Sequence, residues 1–234
     1  MIVIVGASKG LGKELSNIFH KKKLLLISRS KIQLENPEHK SLAEDINNLE
    51  FSMIDSIIGD NKIEGVFFVV GKIYKNDNFN LSEKEVGDII KTNFTSVVRL
   101  SEKFISYSKL EDNCLLCYCS SISTFLPRGK QAIYCASKTA LNSYYYSLNA
   151  YLDKGTKRIR TALLILGYMD TGMSKDVKTL LPKKNPKEIA FIIFKKFRSL
   201  NGKYYIPFYW FFIDIILKLI PRYVKKKLFN ILEI

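Results

Sequence analysis

The chain begins Met1-Ile2-Val3-Ile4-Val5 and runs directly into Gly6-Ala7-Ser8-Lys9-Gly10-Leu11-Gly12. An unbroken apolar, β-branched run leaves no face for water, so it reads as a strand buried on both sides, the habit of a parallel sheet. After the glycines, Leu11, Leu15, Ile18 and Phe19 recur at the spacing of an amphipathic helix. Strand, glycine turn and helix in that order commit the start of the chain to an α/β unit. Glycines at such a turn let backbone N–H groups approach a pyrophosphate, which then sits on the positive end of the helix. A merely flexible turn would also use glycine; the strand-turn-helix setting favours the phosphate cradle.

The same alternation continues. Short apolar runs at 24–27, 41–43, 66–70, 115–119, 161–166 and 204–208 read as further strands. Between them, Val97, Leu100 and Phe104 mark one helix, and Leu141, Tyr145, Leu148 and Leu152 mark a longer one. This order predicts an α/β fold, a Rossmann-type doubly wound parallel sheet with helices on both faces. With 234 residues, 47% of them hydrophobic, residues 1–234 suffice for a single domain with its own core. A hydrophobic and basic extension occupies about 209–234.

Cys114, Cys117, Cys119 and Cys135 lie close in sequence. Strand alternation places Cys117 and Cys119 on one face and Cys114 on the other, which cannot close a zinc site; no metal is expected. Buried free thiols in a reducing cytoplasm are the expectation. The start of the chain lacks a basic segment before a long apolar one, so no signal peptide is read there and a cytoplasmic location is expected. Lysine and arginine outnumber acids 37 to 22, for a net charge of +15. That excess suits anionic partners, or reflects a lysine-rich composition. The lysines are spread along the chain with no recognition motif, so nucleic acid is not an expected partner.

In order, Gly6 to Gly12, Asp45-Ile46, Asn93, Ser121, Tyr134 with Lys138, and Gly167 with Thr171 resemble the short-chain dehydrogenase/reductase family over nearly the whole chain. The resemblance implies hydride transfer between a nicotinamide cofactor and a carbonyl or hydroxyl substrate. It makes Ser121, Tyr134, Lys138 and Asn93 the catalytic set. It assigns the cofactor to Gly6, Ser8, Lys9, Gly10, Leu11, Gly12, Arg29, Asp45, Ile46, Gly71, Tyr134, Lys138, Gly167 and Thr171. For Asp45 a helix cap, and for Asn93 a helix cap, are the plain structural alternatives. Ser120 and Ser123 compete with Ser121, which the family spacing selects.

Two of these readings have a physical basis of their own. An NAD site usually carries an acid at the end of the second strand; here Ser28-Arg29 stands there, with Lys9 in the glycine loop. Two cations in that place favour NADP (NADPH) over NAD, unless both are simply solvated. Tyr134 and Lys138 stand four apart and share a helix face. A nearby ammonium, together with the positive nicotinamide of an oxidised cofactor, is expected to lower the phenol's pKa from near 10 and make it a proton shuttle.

The chain departs from the family at Phe68-Val69-Val70-Gly71, at Leu166-Gly167, and in a short substrate loop over 171–184. Beyond the last strand, Tyr209 to Ile220 is apolar but interrupted by Asp214 and Lys218, too short and too charged to span a bilayer. Pro221 breaks it, and Arg222, Lys225, Lys226 and Lys227 follow beside Leu228, Phe229, Ile231 and Leu232. This mixture suits peripheral contact with a membrane, a subunit interface or a lid. The expected activity is NADP-dependent ketone reduction on a small-molecule carbonyl or alcohol, with a sugar or lipid-linked envelope precursor as one candidate. A nucleotide sensor or scaffold without turnover, and a nucleotide-sugar epimerase, are the alternatives. The family often pairs through helices at 95–108 and 136–151, so a homodimer or homotetramer is expected.

Overall fold

The computed structural model describes residues 1–74, 77, 79–152, 159–172, 181–221, 223–225 and 227. Part of the expected substrate loop (173–180) and much of the tail, including Arg222, Lys226, Leu228, Phe229, Ile231 and Leu232, lie outside the described residues. Strand β1 (Ile2–Val5) is buried along its whole length, as an apolar run without alternation requires. It pairs in parallel with β2 (Leu24–Ser28) on one side and β4 (Ile63–Phe68) on the other, Val3 facing Leu25 and Val66. With β3 (Lys40–Ala43), β5 (Leu110–Ser121), β6 (Ile159–Leu166) and β7 (Gly202–Ile206), the sheet has the order β3-β2-β1-β4-β5-β6-β7. The chain winds outward from β1 to β3 and then returns to start β4 on the other side. That reversal opens a crevice beyond the carboxyl ends of β1 and β4.

Alternate side chains feed two cores. Val3, Val5, Leu25, Val66 and Phe68 enter one, with α4 (Ser96–Ile105) and α5 (Ala132–Leu152) packed over them. Ile2, Ile4, Leu24, Leu26 and Phe67 enter the other, under α1 (Gly10–Ile18) and α6 (Pro186–Lys196). Cys114 joins the first core and Cys117 and Cys119 the second, all as buried free thiols. The alternation expected from the sequence is therefore the one observed.

Three helical pieces were not anticipated. They are α2 (Phe51–Ile58), α3 (Glu83–Ile90) and the π turn Lys91–Thr95 that joins α3 to α4. Helix α3 carries a legible start signal: Ser82 and Glu85 form a reciprocal capping box. Strand β4 ends at Phe68, two residues before the expected end. Beyond it the backbone turns its polar groups to side chains of the crevice, described below. The tail is in part no extension. Helix α7 (Tyr209–Leu219) folds back so that Trp210 and Leu217 complete the first core. It ends where Ile220 turns extended before Pro221, the conformation proline imposes on its predecessor.

Candidate active site

The glycine turn is built by close approach. Gly6 has φ +99° and Gly10 φ +53°, a region that penalises side chains. A Cβ on Gly12 would lie 2.1 Å from the Gly6 carbonyl oxygen, and one on Gly6 would lie 3.0 Å from the Val70 nitrogen. Lys9 stands extended at the start of α1, which has no side-chain cap and no acid in its first turn. The first N–H groups of α1 thus keep their positive end for a ligand.

The crevice is a cavity of about 500 Å³, with Gly6, Ser8, Lys9, Gly10 and Leu11 on its floor. Arg29, Asp45 and Ile46 line one end, and Gly71, Ser121, Tyr134, Lys138, Gly167 and Thr171 the other. The lining thus brings together the sequence-selected residues except Gly12, which packs beneath the turn, and Asn93, which stands behind the wall. Lys9 and Arg29 are exposed at the rim, and neither side chain has a hydrogen-bond or ion-pair partner among the described residues. Asp45 accepts the Asn47 N–H at 2.9 Å, so its carboxylate closes a turn ahead of α2 while facing the crevice. Thr171 stands across the mouth, close enough that a Cβ on Gly10 would touch its methyl group at 3.4 Å. Gly167 has a packing reason of its own: a Cβ there would lie 2.1 Å from the Trp210 indole nitrogen.

Helix α5 presents Tyr134 and Lys138 to the crevice one turn apart. Lys138 is buried, and its ammonium donates to the Cys119 carbonyl at 2.9 Å and to the Val70 carbonyl at 3.4 Å. One of its three donors stays uncommitted. Among the neighbouring serines, Ser120 donates to Asn142 at 2.6 Å, and the Ser123 hydroxyl is buried without a partner among the described residues. Ser121 lies on the crevice wall and acts on the Tyr134 phenol. Asn93, fully buried in the π turn, grips the backbone of Lys72 in both directions: it accepts the N–H at 2.7 Å and donates to the carbonyl at 2.9 Å. It also donates to Ser137 on α5 at 3.0 Å. Asn93 therefore ties the segment after β4 to α5, from the helix side, where the residues at 68–70 carry no polar side chain to do so.

The electrostatics differ from the sequence expectation. Burial, the largest effect, pushes the Tyr134 pKa above 10, while the Ser121 hydroxyl and the Arg128 charge pull against it. Lys138 is not among the largest influences on it. Burial instead lowers the Lys138 pKa to about 8. The ammonium itself is directed at the two carbonyl oxygens of Cys119 and Val70.

Arg128 and Tyr168 were missed by the sequence reading. The Arg128 guanidinium lies 5.5 Å from the Tyr168 ring, and Tyr168 packs edge-on to Trp210. A lone arginine between Ser121 and Tyr134 was the available signal; what Trp210 touches depends on how α7 folds back and carried none.

A switch-point crevice with a glycine turn, and a tyrosine and lysine one helical turn apart on its wall, define a dinucleotide-binding α/β domain. Residues 1–181 match the family model of the short chain dehydrogenases. The chain belongs to the short-chain dehydrogenase/reductase family, as the resemblance implied. Among its relatives, hydroxysteroid 11-beta-dehydrogenase 1-like protein B of Xenopus laevis is 24% identical over 186 residues, covering 73% of this chain. The match spans 64% of that relative's length. The chain's fold is also that of a short chain dehydrogenase from Burkholderia cenocepacia solved with NADP, with TM-score 0.75, 20% identity and coverage of 87% and 86% of the two chains. A 3-ketoacyl-(acyl-carrier-protein) reductase from Brucella melitensis solved with NADH gives TM-score 0.74 at 18% identity, covering 88% and 95%.

Proposed function

We propose that the chain is an NADP(H)-dependent ketoreductase acting on a small carbonyl compound. One observation carries this reading: Ser121, Tyr134 and Lys138 meet on one wall of the crevice, whose far rim holds the unpartnered cations Lys9 and Arg29. Residues Gly6, Ser8, Gly10 and Leu11 and the uncapped start of α1 would hold the pyrophosphate. Lys9 and Arg29 would take the 2′-phosphate through charge-assisted hydrogen bonds. Asp45 and Ile46 would border the adenine, and Lys138, Gly71, Gly167 and Thr171 the nicotinamide side. When bound, the cofactor supplies the hydride for the carbonyl carbon.

The protein's own part is proton handling and orientation. With its pKa raised above 10, Tyr134 is a neutral phenol at ordinary pH, the form that can donate a proton to a carbonyl oxygen. Ser121 holds that oxygen beside the phenol, which polarises the carbonyl. Lys138 is a fixed donor toward the ribose, and Asn93 is a positioning residue that fixes the loop and helix around it. Reduction is the direction the neutral phenol suits.

The test is oxidation of NADPH across a panel of ketones and keto-sugars, with NADH run alongside. NADPH is expected to be the better cofactor for the wild-type protein. Lys9→Ala and Arg29→Ala should each weaken NADPH about tenfold and leave NADH nearly unchanged. Equal use of both cofactors by the wild type would remove the assignment to NADP.

A further inference from the structure

Helix α7 is apolar on its outer face as well as on the inner face that carries Trp210 and Leu217. Its one carboxylate, Asp214, is 2% exposed, while Phe212 is 54%, Ile216 55% and Leu219 79% exposed. A helix packed on a globular domain ordinarily shows the opposite pattern. One oxygen of the buried acid is engaged: the Tyr205 hydroxyl donates to Oδ2, with Lys218 at 2.9 Å and Lys203 at 3.7 Å, while Oδ1 is buried with no partner among the described residues.

The outward apolar face continues past α7. Phe208 before it and Tyr223 after it are more than half exposed, and Phe191 and Phe194 of α6 are also exposed. A groove of about 700 Å³ beside α7 mixes Ile192, Phe208 and Phe211 with the lysines Lys196, Lys203 and Lys218. The sequence of this part of the chain is also basic. From Pro182 to the end, the chain carries twelve of its 37 basic residues but three of its 22 acids. An exposed apolar helix face of the kind α7 carries marks an interaction site. Aromatic and aliphatic side chains framed by lysines fit the boundary between headgroups and acyl chains of an anionic bilayer. Among the described residues no helix is long and apolar enough to cross a membrane, so the contact would be peripheral.

We propose that the outward face of α7, with the adjoining groove and its lysines, docks on the surface of an anionic phospholipid bilayer. This surface is separate from the crevice lining and stands whether or not the chain is a ketoreductase. Lys196 would face lipid phosphates, with Lys203 and Lys218 held beside Asp214, and Phe212, Ile216 and Leu219 would enter the acyl boundary.

The test is flotation of the full chain with phosphatidylcholine vesicles, with and without phosphatidylglycerol. The wild type should float only with the anionic vesicles, and less as salt rises. A Phe212→Glu/Ile216→Glu variant should lose flotation while keeping its melting temperature and its nucleotide binding. Lys225→Ala and Lys227→Ala, which spare the apolar face, should each weaken binding about fivefold. Sedimentation equilibrium in the absence of lipid completes the test. The proposal falls if the wild type ignores anionic vesicles, or if the double variant floats as well as the wild type. It also falls if the wild type is a dimer that the double variant splits without any vesicle binding, since a second copy then covers the face.

Discussion

Burial lowers the Lys138 pKa to about 8, and the carbonyl oxygens of Cys119 and Val70 do not restore it to the ordinary 10.5. A base whose folded pKa is depressed binds fewer protons folded than unfolded between those two values. Its penalty is thus full below about pH 8 and fades as pH rises toward 10.5. The shift corresponds to about 3 kcal/mol, against about 2 kcal/mol for the hydrogen bonds a substitution would lose. Lys138→Met should therefore raise stability at neutral pH by on the order of 1 kcal/mol while abolishing turnover, and the gain should shrink above pH 8. Thermal melts across pH, run beside activity assays, check both halves. A Lys138→Met protein that is less stable would mean the amine is retained for the fold. Arg128 supports a second prediction. Its charge lowers the Tyr134 pKa, so Arg128→Ala should raise it. Alcohol oxidation, which needs the phenolate, should then begin at higher pH, while ketone reduction by the neutral phenol changes little; pH–rate profiles in the two directions separate them.

At the scale of elements, the π turn Lys91–Thr95 decides how the crevice is braced. One extra residue in the helical path turns Asn93 onto Lys72 and Ser137 together. Asn93→Ala would leave the Lys72 N–H and carbonyl without that partner. It should cost about 2–3 kcal/mol in denaturant unfolding and lower turnover, without changing the discrimination between NADPH and NADH. The sequence made Asn93 a candidate but offered no sign of a π turn, because the turn is a registry shift and has no composition of its own. Strands were legible where apolar runs are unbroken, as at Ile2–Val5 and in the core of β5. Short helices such as α2 were not, since eight residues of mixed pattern resemble a loop. The capping box at Ser82 and Glu85 was legible and went unused.

For the whole molecule, strand order places the site and charge distribution sets its surroundings. The switch point between β1 and β4 could be inferred from the alternation of elements, and the crevice opens there. The identity of the residues around Tyr134 could be inferred less well. Arg128, Tyr168 and Trp210 meet because α7 folds back over Gly167, a contact between distant parts of the chain that periodicity does not report. The same blindness hid the orientation of α7: Asp214 and Lys218 marked the helix as interrupted, but only packing shows that the acid faces inward. What the assembled crevice does is then a question of turnover against mere nucleotide holding. The decisive measurement compares the wild type with Tyr134→Phe for NADPH affinity and for NADPH oxidation on an active ketone. The account predicts unchanged affinity and a rate lower by about 10²–10⁴ in the variant. A Tyr134→Phe protein that reduces the ketone as fast as the wild type would contradict it.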